Sequence, residues 1–300
     1  MTEGLGKGWR VGHWTDPAAK TGCTVLLPPP GNVCSCDIRG SSPSSRELAL
    51  LHPERRLTEV HGVLLTGGSA FGLAAAEGVV EWLEQHGIGY ETPVARVPIV
   101  PAAVVFDLGT GDPSVRPGPE EGRRACEDAG PGIPRTGRVG AGTGSTAGKW
   151  AGREHSVPGG FGFGVAESGG LRAAAVAVVN SVGDVIAEDG SVLAGTRAPD
   201  PSLEPRLAAD PPLAAYTVLA AVAVEGSFEK REVRWLASRG SDGITVAVRP
   251  AHTRYDGDVV FALATPGETP SGPEDLDVLG PLATQAVAAA VRHAVEPEGT

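Results

Sequence analysis

Thr217-Val-Leu-Ala-Ala-Val-Ala-Val224 is a continuous apolar run, short enough to be a strand buried on both faces. Immediately upstream stands Ala198-Pro-Asp-Pro-Ser-Leu-Glu-Pro-Arg-Leu-Ala-Ala-Asp-Pro-Pro212, whose prolines can hold neither a helix nor a sheet ladder. Residues 196–212 are therefore expected to be a flexible linker. A hydroxyl at the first position of a buried strand, fed by such a linker, is where a self-cleaving chain would expose a new N-terminal threonine. That residue would carry nucleophile and base together.

Working outward, strands and helices alternate. Cys23 to Pro28 and Gly62 to Thr66 read as strands, and Asp37 to Ser45 as a turn-rich loop. Ser69 is placed as the N-cap of a helix over Ala70 to Gln85, stopped at His86-Gly87. A strand shortened by its prolines follows within 98–107, then a brief helix from Glu120 to Cys126. Further strands are expected at Leu171–Asn180, Gly183–Ala187 and Val259–Ala264, with helices over Phe228–Arg239 and Leu276–Val295. This order fits one α/β (α+β) domain spanning 1–300, a layered sandwich of mixed sheets with helices outside.

Composition narrows the function. Lys plus Arg is 25 against 36 for Asp plus Glu, a net charge of −11, which argues against nucleic acid or an anionic membrane as partner. The 41% hydrophobic and 20% charged content is that of a soluble globular protein, and no apolar run is long enough to span a bilayer. The N-terminal residues show no signal-peptide core. Cys23, Cys34, Cys36 and Cys126 form no paired knuckles and read as small buried thiols in a reducing compartment, so a cytoplasmic location is expected.

Several segments carry candidate chemistry, each with a plainer alternative. The Gly-dense Val139-Gly-Ala-Gly-Thr-Gly-Ser-Thr-Ala-Gly-Lys149-Trp150 is no phosphate loop, because Thr143 stands at the leading glycine position and Trp150 follows the lysine. Lys149 is either a surface loop lysine or a partly desolvated one with a lowered pKa. Gly67-Gly-Ser69-Ala-Phe71 lacks the final glycine of a nucleophile elbow, so Ser69 reads as a cap rather than a nucleophile. Asp256-Gly257-Asp258 is a turn or a carboxylate pair at a strand mouth. Asn180 ends its strand either as a turn cap or as a donor to an oxyanion.

Together these segments resemble the autoprocessing N-terminal-nucleophile hydrolases that include the DmpA-type L-aminopeptidase/D-esterase, the β-aminopeptidases and the NylC nylon-oligomer hydrolase. The resemblance rests on Val11-Gly-His-Trp-Thr-Asp16, Thr21-Gly-Cys-Thr-Val25, Asp37-Ile-Arg-Gly40, Leu65-Thr-Gly-Gly-Ser-Ala-Phe-Gly-Leu73, Gly140 to Lys149, Ala177-Val-Val-Asn180 and Arg249 to Thr265. It implies a four-layer αββα sandwich of the DmpA/ornithine-acetyltransferase type. It further implies a cut between Tyr216 and Thr217 into chains of 1–216 and 217–300. By the resemblance Thr217 is the nucleophile, Asp256 and Asp258 orient it and contact its amine, and Lys149 and Asn180 supply hydrogen bonds. No metal or cofactor is called for, the substrate is a short peptide or related amide, and a homo-oligomer, possible as a tetramer, is expected.

Two departures stand out. The family commonly has Asn-Thr-Thr at the cut, where this chain has Tyr216-Thr217-Val218. Aminopeptidase members can carry Ser-x-Glu where Asp256-Gly257-Asp258 stands, which is closer to the nylon-oligomer type. Acyl transfer of the ornithine-acetyltransferase kind and a non-processing binding or scaffold homologue are the competing readings.

Overall fold

A computed structural model describes residues 4–199, 216–267 and 271–296. Most of the expected linker, from residue 200 to 212, lies outside them.

Two five-stranded sheets stack face to face. The first contains β1 (Arg10–Asp16), β2 (Thr21–Leu27), β4 (Ser45–Arg46), β5 (Val63–Thr66) and β6 (Ala102–Val104), in the order β1-β2-β5-β6-β4. The second contains β3 (Val33–Gly40), β7 (Gly160–Ser168), β8 (Leu171–Asn180), β9 (Thr217–Glu225) and β10 (Gly257–Thr265), in the order β7-β8-β9-β10-β3. All its neighbours are antiparallel except β9 and β10, which run parallel. Helices α1 (Ala75–Gln85) and α2 (Pro119–Asp128) cover the first sheet. Helices α3 (Lys230–Ala247) and α4 (Leu276–His293) cover the second. The result is the expected αββα sandwich.

Strand alternation explains why β9 is apolar from Val218 to Val224. Val218, Ala220, Val222 and Val224 join the core under α3 and α4. Leu219, Ala221 and Ala223 point the other way, into the layer shared with Leu65, Ala103 and Val105 of the first sheet and its flank. A strand at the centre of such a sandwich has no solvent face, so it carries no polar alternation.

Several expectations need correction. Asp37 to Gly40 is strand, not loop: β3 pairs with β10 along Gly257↔Gly40 to Ala264↔Val33. The charge of Asp37 is accommodated by Arg39 at 2.9 Å and Arg234 at 2.7 Å. Ser69 caps no helix; it takes a left-handed conformation (φ 54°) and opens a 3-10 turn, Ser69–Ala74, before α1 begins at Ala75. The strand expected within 98–107 shrinks to β6. Helix α3 runs on past Arg239 to Ala247, and its Gly240 and Gly243 are contact sites rather than stops: an added Cβ would lie 2.8 Å from a Val260 methyl and 2.4 Å from the Thr284 carbonyl of α4, respectively.

Strand β7, Gly160-Phe-Gly-Phe-Gly-Val-Ala-Glu-Ser168, was not anticipated at all. Its glycines let α4 lie directly on the sheet, since a Cβ on Gly162 would sit 2.0 Å from the Ala290 carbonyl. The alternating phenylalanines fill the opposite, inter-sheet layer.

Candidate active site

The strand ends of the second sheet converge. Asn180, the last residue of β8, pairs directly with Thr217, the first of β9. Because β10 runs parallel to β9, with Leu219 beside Val259, its N-terminal end arrives at the same place and brings Asp256 and Asp258. A single bridge between Tyr216 and Asp256 extends that pairing beyond the strands. Lys149 enters from the Gly-rich segment, its N–H held by the Val182 carbonyl at 2.7 Å. All five residues are buried.

The Thr217 hydroxyl donates to the carbonyl oxygen of Tyr216, in a very short hydrogen bond. That same oxygen accepts the Gly257 N–H at 2.9 Å. Two donors therefore polarise the one carbonyl that precedes the threonine.

Asp258 braces the strand just past that point. One carboxylate oxygen accepts the Val218 N–H at 2.6 Å. The other meets His252 Nδ1, also at 2.6 Å, while His252 Nε2 donates to the Ser241 carbonyl at 3.1 Å. Burial works against a charged His252, but the hydrogen bond and charge of Asp258 outweigh it and hold the ring's pKa above its ordinary value. Asp256 accepts the Thr253 N–H at 2.7 Å. Burial, reinforced by neighbouring Asp258, pushes the pKa of Asp256 up to about 6.

Lys149 is the desolvated lysine, not the surface one, at only 2% exposure. Burial, with a further push from Arg153, drives its pKa well below the usual lysine value. Its Nζ donates to both the backbone oxygen of Asn180 (2.9 Å) and the side-chain Oδ1 (2.7 Å). Oδ1 also accepts the Thr146 N–H at 3.1 Å, and Nδ2 donates to the Phe106 carbonyl at 3.1 Å. The amide of Asn180 is thus fixed in one orientation rather than capping a turn.

The Tyr216 ring lies in an aromatic and apolar pocket with Val182 and Tyr255, flanked by Phe106 and Trp150. Lys149 Nζ stands 5.1 Å from the ring centroid and the Arg153 guanidinium 5.7 Å.

Sequence reasoning gave no role to His252, Gly257 or Phe106. His252 stands in the same motif as the two aspartates, yet only the folded turn brings it onto Asp258. Gly257 and Phe106 act through backbone atoms, which leave no side-chain signal. All four cysteines are buried free thiols, and among the described residues no three His, Cys, Asp or Glu side chains group as a metal site.

The model of Peptidase family S58 matches residues 7–297. The chain belongs to that family. It is 40% identical over 281 residues to an uncharacterized aminopeptidase of Mycobacterium tuberculosis, covering 86% of this chain and 79% of that protein. It is 30% identical over 258 residues to a 6-aminohexanoate-oligomer endohydrolase of Agromyces sp., covering 82% and 69%. Among solved structures, the L-aminopeptidase D-Ala-esterase/amidase of Ochrobactrum anthropi, described as a variant of the Ntn hydrolase fold, superposes with a TM-score of 0.74. It shares 18% identity and covers 98% of this chain and 86% of that one. A Burkholderia sp. beta-aminopeptidase gives a TM-score of 0.68 at 20% identity, covering 96% and 84%. This S58 chain is accordingly a hydrolase of peptide or amide bonds on an Ntn-type scaffold. No helix among the described residues is long and apolar enough to cross a membrane.

Proposed function

We propose that this S58 member cuts its own Tyr216–Thr217 bond and then works as an N-terminal threonine amide hydrolase on short peptides or related amides. The observation that carries the proposal is the hydrogen bond from the Thr217 hydroxyl to the Tyr216 carbonyl oxygen, which Gly257 also holds.

In the first stage Thr217 Oγ1 attacks the Tyr216 carbonyl carbon. Adjacency within the chain removes most of the entropic cost of bringing the groups together. The Gly257 N–H is positioned to stabilise the oxygen as it gains charge. The C–N bond breaks, the Thr217 nitrogen takes up the proton from the hydroxyl, and Tyr216 is left as an ester on Oγ1. Water hydrolyses that ester, leaving a carboxylate on Tyr216 and restoring the hydroxyl.

In the second stage the new α-amine, with an unperturbed pKa of about 7.7–8.0, accepts the hydroxyl proton as Oγ1 attacks a substrate amide. The leaving amine takes the proton, and water releases the acyl group. Asp258, through the Val218 N–H, fixes the backbone directly behind the nucleophile. Asp256 places a second carboxylate at the same strand mouth, suited to holding the amine. Lys149 locks Asn180 opposite Thr217.

Intact-mass measurement tests this reading. The expected result is two fragments separated between residues 216 and 217 instead of one 30.5 kDa chain. Thr217→Ala should remain whole, with activity reduced by about three orders of magnitude or more. A wild-type chain that stays whole and inactive, or a Thr217→Ala chain that is cut normally, refutes the proposal.

A further inference from the structure

The uncut chain holds its own first substrate. Whatever amide the finished enzyme attacks must bring its carbonyl to Thr217 Oγ1, where the Tyr216 carbonyl now lies. The side chain on the acyl side of that carbonyl must then occupy the space of the Tyr216 ring. This correspondence rests on the autoprocessing reading above.

That space is a built pocket. Val182 and Tyr255 are buried against the ring, and Phe106 and Trp150 pack on the same cluster. Trp150 is itself anchored, its indole N–H donating to Asp184 at 2.9 Å. Arg153 lies 5.7 Å from the Tyr216 centroid and 5.2 Å from that of Phe106, yet makes no ion pair among the described residues. A cation held by ring faces instead of a carboxylate prefers an electron-rich ring as its neighbour. A small side chain in the same place would leave both the apolar walls and the arginine poorly covered.

We propose that this is the acyl-side specificity pocket, and that the enzyme's substrates are amides whose acyl residue carries an aromatic side chain. Tyr216 then has a reason to stand where the family commonly has Asn. It is the residue the pocket accepts. Because the nitrogen of Tyr216 is acylated in the uncut chain, the substrates include amides within a chain as well as those of a free N-terminal residue.

The test uses the full-length protein after intact mass has established its cleavage state. Tyrosine, phenylalanine, alanine and glycine p-nitroanilides are compared, each with a free and an acetylated amine. The expected kcat/KM for tyrosyl and phenylalanyl substrates exceeds that for alanyl and glycyl on the order of 10²-fold. N-acetyl-L-tyrosine, which reproduces the carboxylate end left on Tyr216, should inhibit competitively and more strongly than N-acetyl-L-alanine. Cut protein that prefers alanyl or glycyl substrates, or hydrolyses no aromatic one, overturns the pocket assignment while the cleavage reading stands. A chain that is uncut and inactive overturns both.

Discussion

Lys149 reaches across to Asn180 with a single ammonium group and bonds both of its oxygens, backbone and side chain, directly opposite Thr217. Replacing Lys149 by methionine keeps the volume but strips both acceptors of this buried donor. Oδ1 keeps the Thr146 N–H, and the loss of a buried hydrogen bond costs about 0.5–1.5 kcal/mol. Lys149→Met is expected to lose stability of that order in urea denaturation. It is also expected to slow the appearance of fragments in a mass time course, because the amide opposite the nucleophile is no longer fixed. Normal cleavage in that variant would remove Lys149 from the site.

Asp256 sets a pH dependence. Its folded pKa, near 6, lies above the ordinary carboxylate value because of burial and Asp258. Its stabilising contribution is therefore complete below the unfolded value and is lost as pH rises through about 6. Its negative charge, by contrast, is gained over the same interval. The rate of self-cleavage, measured on the uncut chain, should follow that charge along an acidic limb centred near pH 6. In Asp256→Asn the limb should vanish; a pH–rate profile with the limb intact would assign the titration elsewhere.

His13 gives the opposite sign. Burial, with the charge of Arg135, lowers its pKa to about 4. Its Nδ1 meets Thr24 at 2.9 Å, while Nε2 has no hydrogen-bond partner among the described residues. The stability it contributes is complete above its unfolded pKa and is lost as pH falls through about 4, up to about 3 kcal/mol. Denaturant melts between pH 7 and pH 4 should show this decline, and His13→Gln should flatten it.

Gly162→Ala tests the closeness of β7 to α4. The added methyl would meet the Ala290 carbonyl, and neither backbone can yield without moving a whole element. A cost of about 1–3 kcal/mol is expected from overpacking. Val165→Ala, on the exposed end of the same strand, should change stability by about 0.5 kcal/mol or less.

The elements that announced themselves in the sequence are those whose burial is simple. Leu171–Asn180 is read to the residue, and the buried Thr217 strand and the terminal helix nearly so, because uninterrupted apolar runs and a one-sided helix leave little choice. Strand β7 was hidden because glycine fills one face; its signal, the Gly-Phe-Gly-Phe-Gly alternation, reports close helix contact rather than propensity. Asp37 misled in the same way, since its partners Arg39 and Arg234 are chosen by tertiary packing. At the site, spacing left Lys149, Asn180 and the Asp256–Asp258 pair open between plain and functional readings. What sequence could not show is that sheet order brings Asn180, Asp256 and Asp258 to the same strand ends, where the Gly-rich segment delivers Lys149. His252 and the Gly257 N–H become relevant only once those strand ends meet.

The order β7-β8-β9-β10-β3 has a consequence for how the molecule would be put together. A cut before Thr217 assigns β9 and β10 to the short fragment and leaves β7, β8 and β3 with the long one. The short fragment would then be wedged inside a sheet, zipped to the long fragment along Ala173–Asn180 on one side and Val33–Gly40 on the other. Parting the pieces would mean breaking both of these ladders at once. A cut there would follow assembly, and it would sever the chain without dividing the body, so the pair would be lost or retained as one unit.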